Sequence, residues 1–163
     1  MKVGKGKCWT AAAALSLAAL ALAGCSGSAG SSSGSAGSSS NDGDSLATAS
    51  TSVGKVIVDG QGKTVYFFAK DTKGEMASQC TGACASFWPP VQTSGTPKVT
   101  GITGTVGTIA SSNGKQQVTV DGLPIYTYAG DGAKGDIKGQ DINQDGGLWW
   151  VVAPSGTKIT TKP

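Results

Sequence analysis

An internal duplication constrains the fold of this chain more than any other feature. The tripeptide Val-Asp-Gly at residues 58–60 recurs at 120–122. A Tyr-x-aromatic-x-x-Asp pattern begins at Tyr66 and again at Tyr126, and a tryptophan follows each pattern. Because an isolated β-hairpin is marginally stable, two copies of so short a unit indicate a pseudo-twofold domain whose halves share one core.

The segments between the turns are typical of β-strands. Short β-branched and aromatic runs alternate with Gly, Asn and Asp, and helical periodicity is absent. Two hairpins are predicted, one across residues 59–62 and one across 121–124. We therefore predict an all-β fold, one small sandwich or barrel-like domain over residues 53–163. Its two halves are copy one, about 53–95, and copy two, about 99–163.

The N-terminus has the composition of a secretory leader. Three lysines precede an Ala/Leu-rich run that ends in Leu-Ala-Gly-Cys at residues 22–25. These last residues resemble the bacterial lipobox, in which the leader is removed before a cysteine whose sulfur carries diacylglycerol. We predict a leader at 1–24, lipidation of Cys25 and anchoring to the extracytoplasmic face of the bacterial cell membrane. In a Gram-negative cell, the outer membrane is the alternative.

Residues 25–52 are predicted to form a flexible tether. From Ser26 to Ser40 the chain is almost wholly Ser, Gly and Ala, and it stays small and polar to Ser52. Such a composition buries too little apolar surface to offset the entropy lost on ordering.

The charge of the chain without its leader excludes one class of partner. The chain has 13 lysines, no arginine and 10 acidic residues, and the leader holds three of the lysines, so the remainder is balanced. Nucleic-acid binding is not expected without a basic patch or arginine side chains. The predicted partners are the membrane, through the N-terminal lipid, and an unidentified surface ligand or envelope protein.

The duplicated motif and two flanking patterns resemble a known family. The sequence Cys-Thr-Gly-Ala-Cys-Ala begins at Cys80 and is followed by Trp-Pro-Pro at 88–90, while copy two has no cysteine. The chain resembles the bacterial lipoproteins called "secreted repeat of unknown function". The resemblance implies a location and a fold unit but no reaction. The matching positions are Tyr66, Phe68, Asp71, Trp88, Pro89, Pro90, Tyr126, Tyr128, Asp131 and Trp149.

Cys80 and Cys84 allow two interpretations. In an oxidising compartment they favour a short disulfide loop. Alternatively, Met76, Cys80 and Cys84 are spaced to share one helical face, where thioether and thiolates would select Cu(I).

The segment Asp141-x-Asn143-x-Asp145-Gly copies the first half of an EF-hand calcium loop. The twelfth position is Val152 rather than the bidentate glutamate, so a turn before the next strand is the alternative. Neither Ca²⁺ nor Cu(I) is predicted with enough support to assign a cofactor.

The aromatic residues of the motif also allow two interpretations. Tyr66 and Phe68 share one face of a strand, as do Tyr126 and Tyr128, which favours core packing. Exposed Trp88, Trp149 and Trp150 would instead provide a flat ligand-binding platform.

Catalysis is not expected. The chain has no histidine, no Gly-x-Ser-x-Gly elbow and no phosphate-binding glycine loop. The sequence therefore predicts a non-enzymatic, lipid-anchored surface protein with a binding or structural role. The alternative is an extracytoplasmic copper-handling or electron-transfer protein that uses Cys80 and Cys84.

Overall fold

The computed structural model describes residues 43–111 and 113–163, and this part is almost entirely β. The predicted leader, the lipidation site Cys25 and residues 26–42 of the predicted tether lie outside the described residues. The all-β prediction is confirmed. The elements in chain order are β1 (Ser45–Thr51), β2 (Gly54–Asp59), β3 (Tyr66–Phe68), α1 (Ala83–Phe87), β4 (Gln92–Thr93), β5 (Lys98–Val99), β6 (Val106–Ala110), β7 (Gln116–Val120), β8 (Leu123–Pro124), β9 (Asn143–Gln144) and β10 (Gly147–Val151).

The strands form three small sheets. Their orders are β2-β1-β5, β3-β10-β9 and β4-β7-β6, with β8 also paired to β7. None of these sheets closes into a barrel within the described residues. The sheets stay small and open, and two of the three combine strands from both copies.

The ordered domain begins earlier than the sequence indicated. β1 lies inside the segment predicted as tether and pairs antiparallel with β2 over six residue pairs. Its Leu46 side chain is buried. The small, polar composition of β1 resembles a linker, but the hydrogen-bonding edge of β2 and the apolar site filled by Leu46 order it as a strand.

The two copies build equivalent hairpins. β1 pairs antiparallel with β2, and β6 pairs in the same way with β7. Asp121 and Gly122 have φ of 50° and 78°, which suits the two-residue turn between β7 and β8. Aspartate and glycine tolerate this left-handed backbone, so the repeated Val-Asp-Gly tripeptide marks a real turn.

The last strand of each copy pairs with the hairpin of the other copy. β10, from copy two, pairs antiparallel with β3 of copy one. Conversely, the N–H of Val91 in copy one donates to the carbonyl of Ile125 in copy two, at 3.0 Å. The sheets β3-β10-β9 and β4-β7-β6 therefore each combine strands from both copies.

The pseudo-twofold axis passes between the two motif tyrosines. The backbone N–H of Tyr66 donates to the Tyr126 carbonyl at 2.8 Å, and the reverse bond measures 3.1 Å. Two apolar clusters lie around this junction. One is aromatic and includes the disulfide, and the other is aliphatic; β3 contributes Tyr66 and Phe68 to the first and Phe67 to the second. No helix among the described residues has the length and apolarity that a bilayer crossing requires.

Candidate functional site

The motif tyrosines and aspartates form two crossed pairs. The Tyr66 hydroxyl donates to Asp131 Oδ2 at 2.7 Å, and the Tyr126 hydroxyl donates to Asp71 Oδ2 at 2.8 Å. Each bond joins the tyrosine of one copy to the aspartate of the other. Sequence spacing placed tyrosine and aspartate in one motif, but it did not indicate that their bonds cross between the copies.

Both carboxylates are also bonded through their second oxygen. Asp71 Oδ1 accepts the backbone N–H of Gln79 at 2.7 Å, and Asp131 Oδ1 accepts that of Lys138 at 3.0 Å. Burial raises the pKa of each carboxyl, although these hydrogen bonds oppose the shift. Burial, reinforced by the neighbouring carboxylates, also raises the pKa of both tyrosines. The aspartates therefore fix loops and tyrosines, and no lone nucleophile or base projects from the pairs.

Gly139 permits the Tyr66 pair to close. Its N–H donates to the Tyr66 hydroxyl at 3.3 Å, and a Cβ at this position would lie 2.8 Å from both the Tyr66 and Trp88 rings. Sequence analysis missed this residue, because a glycine required by close approach resembles the many turn glycines of the chain.

Four aromatic rings stack in one column through the centre of the domain. Trp88 and Trp149 are parallel with centroids 3.8 Å apart. Phe68 stacks on Trp149 at 4.2 Å, and Tyr128 stacks on Trp88 at 4.3 Å. The column follows the duplication, since each copy supplies one tryptophan and one motif aromatic.

The tryptophan column is core and not a binding platform. Trp88 and Trp149 have no solvent exposure. Trp150 is partly buried, with the Lys158 ammonium 5.6 Å from its ring centroid. The neighbouring prolines serve the same core: the Pro89 carbonyl accepts the N–H of Thr127 at 2.9 Å, and Pro90 bridges to Tyr126. The core interpretation of the motif aromatics agrees with this geometry.

Cys80 and Cys84 form a disulfide, and both residues are buried against the aromatic cluster. Met76 does not join them. Among the described residues the only helix, α1, begins at Ala83, and Met76 is 81% exposed. The predicted helical face of three sulfur ligands is therefore wrong, because an irregular loop rather than a helix connects Met76 to Cys80.

The calcium-like segment is a hairpin rather than a loop that surrounds an ion. Asn143 lies in β9, and Asp145 occupies a turn with φ of 57° before β10. The Asp141 carboxylate pairs with the Lys162 ammonium at 3.0 Å. Within the described ranges, no three His, Cys, Asp or Glu side chains gather as metal ligands. The turn alternative describes this segment correctly.

An exposed groove lies along β6 and was not predicted. It has a volume of about 520 Å³ and lies between β6 and the Gly74–Met76 segment of copy one. Ile109 and Met76 contribute apolar surface, and Glu75 lies at the same groove. A smaller groove continues past Ser78 and Thr81 to Ser111. The sequence signal was weak, because the Gly/Thr-rich run around β6 identifies a strand but not its neighbour.

Comparison with known proteins identifies the repeat unit. A family described as "secreted repeat of unknown function" matches residues 47–92 and again residues 107–153. Both matches include the Tyr-x-aromatic-x-x-Asp motif, so the resemblance stated from the sequence is confirmed. No curated protein and no solved structure matches the chain.

Proposed function

The chain belongs to the family of secreted repeats of unknown function, and on that premise we propose that it is a lipid-anchored, non-enzymatic binding or structural module of the bacterial cell envelope. The crossed Tyr–Asp pairs carry this proposal. The side chains that define the family are used inside the domain: the aspartates accept bonds from tyrosines and loop N–H groups, and the tryptophans fill the core. The signature therefore specifies a scaffold, which leaves function to the exposed surface.

The proposed anchor rests on the residues before the domain. A basic, apolar leader followed by Leu-Ala-Gly-Cys supports acylation of Cys25. Two or three acyl chains anchor a protein stably, whereas one chain binds marginally. The Cys80–Cys84 disulfide suits the oxidising space outside the cytoplasm.

Acylation is tested with the full chain expressed in a bacterium with its own leader. We expect the wild-type protein in the membrane fraction, with an intact mass that begins at an acylated Cys25. The Cys25→Ser variant should lose the lipid mass and the membrane association. Cys8→Ser is the matched control, because this cysteine lies within the leader and should leave processing unchanged. An unacylated wild-type N-terminus would refute the anchor.

The copper alternative is separated from the scaffold role by thiol titration and elemental analysis of the purified protein. The proposed module should show a closed Cys80–Cys84 disulfide and no copper. Two freely titrating thiols with one Cu(I) per chain, lost in Cys80→Ser, would instead favour copper handling. Ser86→Ala is the control, since this exposed position on α1 carries no sulfur ligand.

A further inference from the structure

The outer edges of the two hairpins differ. In copy one, β5 covers the start of the outer edge of β1, at Ser45 and Leu46: the N–H groups of Lys98 and Thr100 donate to the carbonyls of Asp44 and Leu46, both at 2.9 Å. In copy two, β6 occupies the place of β1, and β7 is its single strand partner in the described part of the chain.

The segment that corresponds to β5 lies elsewhere in copy two. Lys-Val-Thr at 98–100 recurs as Lys-Ile-Thr at 158–160. The N–H of Ile159 donates to the Val151 carbonyl at 2.8 Å, so this segment pairs beside β10 rather than β6. Among the described residues, the place that β5 takes beside Leu46 in copy one is therefore open in copy two beside Val106, and the outer edge of β6 has no strand partner from Val106 onward. Before that point, the N–H groups of Thr103 and Gly104 donate to the Pro154 carbonyl.

The hydrogen-bond pattern identifies the open backbone groups. The N–H of Asp121 donates to the Thr105 carbonyl, and the N–H of Ser111 donates to the Lys115 carbonyl. Because bonded pairs alternate along an antiparallel ladder, β6 directs its remaining backbone donors and acceptors away from β7. The residues that do so are Val106, Thr108 and Ala110.

This edge also lacks the features that usually prevent strand addition. Proteins protect exposed edges with charges, prolines, bulges or very short strands. β6 has five residues, Val-Gly-Thr-Ile-Ala, with no charge and no proline. Thr108 and Ala110 are exposed, and the groove beside β6 offers apolar surface from Ile109 and Met76.

We propose that β6 is a homotypic interface, on which β6 of a second copy pairs antiparallel about a twofold axis at Thr108. A twofold interface requires a self-complementary surface, and this strand meets that condition. Thr108 faces Thr108 of the second copy, and Val106 faces its Ala110. By symmetry, Ala110 faces Val106 of the second copy. The three facing pairs exchange about six backbone hydrogen bonds. Two neutral strands meet without charge repulsion, and the sheet becomes continuous as β4-β7-β6-β6-β7-β4.

A single strand pair buries less area than the roughly 1,200 Å² typical of stable interfaces, so the dimer is weak in dilute solution. Confinement of both copies to one membrane raises their effective concentration. This last step rests on the proposed lipid anchor, whereas the strand pairing does not.

Cross-linking tests the register in the full-length protein in membranes. Facing residues of a bonded antiparallel pair have Cα atoms about 5.5 Å apart, within disulfide range. Thr108→Cys should give a disulfide-linked dimer on a non-reducing gel. Ser45→Cys, in the part of β1 that β5 covers, is the matched control and should remain monomeric. Equal cross-linking at both positions, or none at 108, would overturn the proposal.

Charge exchange tests the contact without a covalent bond. Thr108→Lys and Thr108→Glu should each weaken self-association at least about fivefold in detergent-solubilised full chain, because like charges then face each other. Mixing the two variants should restore the dimer. Unchanged thermal melting verifies that both variants fold.

A wild-type protein that stays monomeric at millimolar concentration, or a mixture that remains monomeric, refutes the pairing. Cross-linking of Thr108→Cys to a different envelope protein, with no homodimer, also refutes it. Failure of acylation in the Cys25 experiment would leave the detergent result interpretable, so the two proposals fail separately.

Discussion

The two copies agree at the centre of the domain and differ in their loops and outer edges. At the centre, each copy contributes one tyrosine, one aspartate and one tryptophan to equivalent contacts. In the loop after its motif, copy one has the buried Cys80–Cys84 disulfide. Copy two has no cysteine there, and Asp136 accepts the N–H groups of Gly132 and Ala133 at 3.0 and 3.1 Å.

This difference shows where the duplication is constrained. A central residue contacts the other copy, so a change in one copy disturbs both. The loops can be held by different chemistry in the two copies, as the disulfide and Asp136 show. The outer edges also differ: β5 pairs with the start of β1 and has no counterpart beside β6 among the described residues. Symmetric contacts therefore mark folding requirements, and asymmetric surfaces are the better places to seek function.

The largest expected effect concerns the central tryptophans. Trp88→Ala and Trp149→Ala should each lower the free energy of unfolding by about 3–5 kcal/mol, because each leaves a large buried cavity. Urea unfolding measures this loss. A cost below about 1 kcal/mol in either variant would contradict the shared ring column.

The same tryptophans provide a finer comparison. Trp149 donates its Nε1–H to the Gln144 carbonyl at 3.2 Å, whereas the buried Trp88 Nε1 has no partner among the described residues. Trp149→Phe should therefore cost about 1 kcal/mol more than Trp88→Phe in the same urea assay. Equal costs would show that the indole hydrogen bond does not distinguish the copies.

The crossed pairs are tested by double-mutant cycles. Tyr66→Phe should lower stability by about 1–3 kcal/mol, because a buried carboxylate loses its donor. The cycle of Tyr66→Phe with Asp131→Ala should show a coupling of about 1 kcal/mol or more. Tyr66→Phe with Asp71→Ala should be additive. The opposite result would place the bond within one copy and refute the crossing.

The two loop closures should differ in strength. Replacing both Cys80 and Cys84 by alanine should cost about 2 kcal/mol, mainly from loop entropy restored to the unfolded chain. Asp136→Ala in copy two should cost less than loss of the disulfide, because its loop hydrogen bonds are exposed. Thermal melting with and without a reductant provides an independent check, since only the disulfide loop should respond to reduction.

The smallest expected effect is a pH dependence of the crossed pairs. Burial raises the pKa of Asp71 and Asp131 above the ordinary value of 3.8. As pH rises, the folded protein therefore keeps these two carboxyl groups protonated to a higher pH than the unfolded chain does. Their stabilising contribution is complete below about pH 4 and declines as pH rises through the raised pKa. The contribution of Asp44 to stability has the opposite pH dependence, because hydrogen bonds from Thr93 and Ser94 lower the pKa of Asp44.

Melting curves between pH 3 and 7 measure this effect as a difference. Relative to an Asp71→Asn/Asp131→Asn variant, the wild-type protein should lose stability as pH rises. Asp44 is unchanged in both proteins, so its contribution cancels. A wild-type protein that gains stability over the variant with rising pH would show that hydrogen bonding to the carboxylates outweighs their burial.

Much of the local structure followed from sequence patterns. Short β-branched and aromatic runs identified β2, β3, β7 and β10, and the Asp121-Gly122 pair identified a turn. The sequence failed where a segment takes its structure from a distant partner. β1 resembled a linker and is ordered by pairing with β2, while Met76 shared a helical spacing with Cys80 but lies on a loop.

Sequence by itself determined that the domain is β-rich, duplicated and built around two Tyr-x-aromatic-x-x-Asp motifs, because strand periodicity, turn chemistry and repetition are local properties. Only the tertiary structure decided that Tyr66 bonds to Asp131, that the last strand of each copy completes the other, and that β6 has an open edge. Two nearly identical motifs offer equivalent partners within and between copies. The choice between them depends on chain path and on the burial of both tryptophans in one core, which no local pattern specifies.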